Sequence, residues 1–130
     1  MTRPLDASGG TILVVLAAIA GAAGVVLAAL AAHNAQSAGM VAAANILMLH
    51  AVAVIAVAAW ARTMAQPKFT VIAAWGLLAG AVIFSAAVAL PALGVMAPIP
   101  RAAPTGGTIL IVAWLALAIA AGLAKLRGER

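Results

Sequence analysis

Four runs of about twenty apolar residues, parted by short polar or proline-rich breaks, leave this chain one kind of architecture. The runs cover 11–32, 41–61, 69–90 and 107–124. A helix rises ~1.5 Å per residue and the hydrocarbon core of a bilayer is ~30 Å thick, so ~20 apolar residues make one crossing. Backbone polar groups in lipid must be paired within the protein, and runs of this length do that as helices. The expectation is an all-α polytopic membrane protein. Residues 1–130 form one domain, a four-transmembrane-helix antiparallel bundle. Only 7% of the residues are charged, against about 25% in a soluble domain, so the chain lacks a surface that water can wet on all sides.

The breaks set the topology. Arg3 precedes the first run and Ala29-Leu30-Ala31 has the small-x-small form of a signal cleavage site. That run is nevertheless longer than the ~7–15 residues of a signal core, and a retained helix is expected. His33-Asn34-Ala35-Gln36-Ser37 is a polar turn too short to cross anything, so spans one and two form a hairpin. Arg62 and Lys68 flank a turn containing Pro67. The longest connection, 91–106, holds Pro91, Pro98, Pro100 and Pro104 and is expected as an extended loop, because proline lacks the N–H that a helix interior needs.

Charge gives an orientation. With the N-terminus inside, one side carries Arg3, Arg62, Lys68, Lys125, Arg127 and Arg130, and the other only Arg101. That bias expects both termini in the cytoplasm. Trp60, at the inner end of span two, suits an interfacial tryptophan. The net charge of +5 does not point to nucleic acid, since the cations punctuate the spans and form no basic face. No cysteine is present, which excludes disulfides, iron–sulfur clusters and thiolate zinc sites. The only acids, Asp6 and Glu129, lie near the termini, so no span carries a carboxylate proton relay.

The few polar residues within spans are the candidate functional positions. His50 falls ~14 Å into span two, near the midplane. There it is expected neutral, hydrogen-bonded and facing the bundle. It reads either as a ligand or proton site or as a packed histidine satisfied by its neighbours. Asn45 lies ~6 Å below the outer end of the same span, at a depth similar to that of Ser85 on span three, and an Asn45–Ser85 hydrogen bond is expected. Trp114 on span four matches His50 in depth, and its N–H needs an acceptor, either His50 or a carbonyl. His33 sits at the outer boundary. Its depth differs from that of His50 by roughly half the bilayer, poor geometry for joint ligation of one haem iron. Gly76 and Gly80 make a G-x-x-x-G on span three, a close-packing face. Gly24 belongs to a stripe of small residues, Ala20, Gly24, Ala28 and Ala32, at every fourth position. Gly106-Gly107 reads as a helix-entry turn or a small anion nest.

In order and spacing these residues resemble the small four-span membrane family classed as domain of unknown function 423, the YgdD-like and transmembrane protein 256-like proteins. The family's G-A-x-G-A-H at the end of helix one is matched by Ala28-Ala29-Leu30-Ala31-Ala32-His33, with both glycines replaced by alanine. Its helix-two H-[AT]-L-A is matched by His50-Ala51-Val52-Ala53, and its L-F-S-G-S by Ile83-Phe84-Ser85-Ala86-Ala87. Ala103-Pro104-Thr105-Gly106-Gly107 stands for its T-P-x-G-G, and Trp114 for the tryptophan ten residues after that proline. Asn45 occupies a position where the family often has an acid, and Ala87 replaces the second serine of S-G-S. The resemblance implies a fold and a location in a bacterial inner membrane, and no chemistry.

No Ser-His-Asp set, phosphate-cradling loop or metal-ligand spacing is present in the sequence. The expected role is structural: an accessory subunit without enzymatic activity or a cofactor, in contact with the lipid bilayer and packing with itself as a homo-oligomer or with a larger membrane complex. A small transporter or channel with a path lined by His50 and Asn45 stays open as an alternative. So does a haem- or quinone-contacting redox subunit using His50.

Overall fold

The computed structural model describes residues 5–33, 38–64 and 67–128. Within them the chain forms four helices: α1 (Leu5–Ala32), α2 (Ala38–Ala61), α3 (Lys68–Ala92) and α4 (Ala102–Leu126). All four are long and apolar enough to cross a membrane, and the described residues contain no strand. Facing positions run in opposite directions along neighbouring helices. Gly21 meets Ala51 and Gly24 meets Met48, while Gly76 meets Ala113 and Gly80 meets Gly106. The antiparallel four-helix arrangement expected from the runs is the one observed.

Small residues at alternating spacings of four and three hold the helices together. On α1 the buried positions are Leu13, Ala17, Ala20, Gly24 and Ala31, with Leu27 half-buried in the gap. On α2 the same spacing is kept by the buried residues Met40, Ala44, Leu47, Ala51, Val54, Ala58 and Ala61. On α4 they are Gly106, Leu110, Ala113, Ala120 and Ala124, with Leu117 half-buried. This repeat averages 3.5 residues, the seam of left-handed helix packing. The expected stripe at every fourth residue of α1 is therefore corrected. Four residues turn a helix by ~400°, so such a stripe drifts ~40° per step. Ala20 and Gly24 are buried, Ala28 is half-buried and Ala32 is exposed.

The helices pack in sequence order. α1 lies on α2, α2 on α3 and α3 on α4; α1 touches α3 lightly, and the α4 backbone approaches neither α1 nor α2. The bundle is thus open, with α1 and α4 at its edges. Only 22% of each edge span is buried, against 44% for α2 and 39% for α3.

The proline-rich connection is shorter than the sequence suggests. α3 continues through Pro91 to Ala92, and α4 begins at Ala102. Pro91 falls in a last turn, and Pro104 in a first turn where the N–H has no helical partner to lose. α3 ends in a Schellman motif: Gly94 N–H donates to the Pro91 carbonyl and Val95 N–H to the Leu90 carbonyl. Gly94, at φ 69°, supplies the left-handed residue the motif requires. Residues 92–101 are exposed, so this connection does not fold back over the bundle. Arg62, Lys68, Lys125 and Arg127 all fall at the opposite end of the helices from Arg101.

Candidate functional site: a histidine–tryptophan clasp

His50 sits at the middle of α2 and Trp114 at the middle of α4. With Ala43 and Val57, each seven residues away, His50 forms a second buried stripe on α2, turned toward α3 and α4. It is 4% exposed, and both ring nitrogens are engaged. Nδ1 lies 2.7 Å from the Ile46 carbonyl oxygen. The Trp114 indole N–H donates to Nε2 over 3.2 Å. The ring centroids are 6.1 Å apart with planes at 63°, an edge-on contact.

These partners fix the tautomer. A carbonyl only accepts, so the proton sits on Nδ1; an indole N–H only donates, so Nε2 offers its lone pair. An imidazolium would have no lone pair left for the indole. The α2 and α4 backbones do not pack on each other, so this bond clasps two helices across the edge of α3. Trp114 is 43% exposed, with its apolar body toward the surroundings and its N–H inward, as suits an amphipathic ring.

Ser85 and Thr70 are also buried polar residues, at 2% and 0% exposed. Thr70 donates to Met64 Sδ near the other end of α3, and Ser85 lies on the side of α3 that faces α2. Its hydroxyl donates to the Ala43 carbonyl over 2.9 Å. The expected Asn45–Ser85 bond is therefore corrected: the acceptor on α2 is backbone, and Asn45 is exposed. Helical geometry explains the difference. Asn45 precedes His50 by five residues, which is ~140° around the helix, so the two cannot line one face. His33 is exposed in the turn that closes α1 and does not share the burial of His50. Among the described residues no three His, Cys, Asp or Glu side chains cluster as a metal site, and no buried side-chain polar atom lacks a partner.

Ser85→Ala is expected to cost about 0.6–1 kcal/mol in reversible detergent unfolding, the usual worth of such a bond between membrane helices. Asn45→Leu is expected to stay within about 0.5 kcal/mol of the parent. Equal losses from the two would contradict the assignment.

The glycines position the clasp. Gly76 and Gly80 do form a close-packing face, and it is spent inside the chain, against Ala113, Leu110 and Gly106 of α4. Gly24 is pressed against Ala44 and Met48 of α2. Gly106 has a different part from the one its sequence suggests. It lies in the first turns of α4, so its part is neither a helix-entry turn nor an anion nest but a close approach to the α3 backbone at Gly80 and Phe84. The signal was present: Gly106 precedes Leu110 by four residues and Ala113 by seven, and so extends the seam of α4.

A family model described as "Protein of unknown function (DUF423)" matches residues 20–107. The match takes in Gly24, His50, Gly76, Gly80, Ser85 and Gly106, and it ends before Trp114. No curated protein and no solved structure matches the chain.

Proposed function

The chain belongs to the DUF423 family, and from that premise we propose that this small membrane protein is an accessory subunit, packing with itself or within a larger membrane complex through its edge helices. The observation that carries this is the open row of helices. α1 and α4 are each covered on one side by their own chain, and they present Val25 and Leu115, both 60% exposed, on their free faces. In this reading the protein has no reaction of its own and needs no cofactor. It resides in a bacterial inner membrane with both termini cytoplasmic, a placement supported by four cations at one end of the helices against Arg101 at the other.

The polar geometry favours this role over a transport path. His50 is buried with both nitrogens committed, and Asn45 points elsewhere. It also favours it over haem or quinone contact, since the Nε2 lone pair that a ligand would need is taken by Trp114.

The test is site-specific photocrosslinking in native membranes. Crosslinkers at Val25 and Leu115 are expected to give discrete protein adducts, either a second copy or one defined partner. A crosslinker at Val52, 68% exposed on α2, is expected to give lipid adducts. Lipid adducts alone from all three positions would contradict the proposal.

A further inference from the structure

Where α1 and α3 splay apart, an apolar groove of about 610 Å³ opens on the side of the bundle, and α2 contributes Leu47 to its floor. We propose that this groove is a binding site for one hydrocarbon chain of a membrane lipid. The inference goes beyond the accessory role and does not depend on it.

The lining chemistry sets the ligand class. Among the described residues Ser85 is the only polar one in its lining, and the Ser85 hydroxyl proton is already given to the Ala43 carbonyl. No described residue of the lining selects a headgroup, and its apolar walls suit hydrocarbon. Small residues such as Ala23 and Ala86 hollow the trough, and larger ones such as Leu30 and Val82 raise its rims.

Dimensions set the occupant. Along α1 the lining runs from Leu16 to Leu30, and along α3 from Val82 to Leu93, which is ~21 Å and ~16 Å at the helical rise. Both stretches run toward the end of the bundle that carries Arg101. One leaflet's hydrocarbon is ~15 Å deep, so the groove spans about the depth that a single lipid chain occupies. Spread over ~20 Å of length, about 610 Å³ leaves a section of about 30 Å². A helix ~10 Å across needs about 80 Å². Carbon atoms in contact at about 4 Å allow one polymethylene chain in about 20 Å². The trough therefore has room for one chain along its length, whereas a helix from a second copy would have to rest on its rims.

The stabilisation is packing. Lipid tails are as apolar as leucine, so entry gains no hydrophobic free energy; it fills a void whose walls otherwise lack contact partners.

The test reconstitutes the full chain in vesicles of phosphatidylethanolamine and phosphatidylglycerol. The protein is then extracted in mild detergent, and retained lipid is counted by native mass spectrometry. The parent is expected to keep one phospholipid per chain. Ala23→Phe/Ala86→Phe, which fills the trough, is expected to reduce that species at least about tenfold with helical circular dichroism unchanged. Leu115→Phe, on the free face of α4, is expected to retain it. A parent that keeps no lipid, or a filled variant that keeps it as the parent does, overturns the proposal. So does a filled variant that loses a bound second copy while its lipid is unchanged. Should the double variant not fold, Val82→Phe at the exposed rim carries the same expectation and the same readout.

Discussion

Gly106→Ala is expected to destabilise the bundle by about 2–3 kcal/mol, the upper range for forcing a methyl into a packed interior, while Gly107→Ala next to it is neutral or slightly stabilising. A β-carbon at Gly106 would stand 2.5 Å from the Phe84 nitrogen, 2.8 Å from the Phe84 α-carbon and 2.9 Å from the Gly80 carbonyl oxygen. These are backbone atoms of α3, and no rotamer change removes them. The helices must separate, which also loosens Leu110 over Gly80 and Ala113 over Gly76. At Gly107 the nearest atom, on the Phe84 ring, is 4.0 Å away, so the helix propensity of alanine decides the sign, worth up to about 1 kcal/mol. Gly24→Ala falls between, at about 1–2 kcal/mol: the Met48 side chain must turn away from its Cγ contact at 2.6 Å, and the Ala44 carbonyl oxygen and Met48 nitrogen, each 3.2 Å from the new β-carbon, must give only slightly. The fraction folded against dodecyl sulfate in mixed micelles measures all three. Equal midpoints for the Gly106 and Gly107 variants would refute the α3–α4 packing.

His50→Ala is expected to cost about 2–4 kcal/mol, from the cavity at mid-bundle together with the lost bonds. It removes a buried ring and leaves the Trp114 N–H without its acceptor. Trp114→Phe keeps most of the apolar contact and removes only the donor, so about 1 kcal/mol is expected. A double-mutant cycle between the two positions isolates the bond, with a coupling of about 0.6–1.7 kcal/mol. Trp114 lies on an edge helix with one neighbour, so the coupling also reports how firmly α4 is held to α2. A coupling within about 0.3 kcal/mol of zero would mean that the clasp adds nothing beyond α3–α4 packing.

The helices were legible because length and apolarity are local properties. Their ends at Ala92 and Ala102 were not, since Pro91 and Pro104 read as breaks. Proline in a first or last turn forfeits little, and that depends on where neighbouring turns fall. The depth match between His50 and Trp114 was legible because both sit at mid-span, and depth follows from counting residues. The Ser85 acceptor was not, because sequence advertises the Asn45 side chain and is silent about the Ala43 carbonyl. The angular position of Asn45 was readable from its five-residue offset to His50, and depth alone does not contain it. Nor did the sequence show that the helices stop in an open row, which depends on which seams α3 satisfies at once.

The proposed accessory role requires the free faces of α1 and α4 to be covered by protein. The most direct measurement is the mass and composition of the native particle, purified from its own membranes in mild detergent. The expected result is a particle well above the 12.7 kDa of one chain, with a second copy or a single partner in fixed stoichiometry, dispersed by a Leu115→Arg variant that still folds. A particle containing one chain with lipid and detergent alone would contradict it.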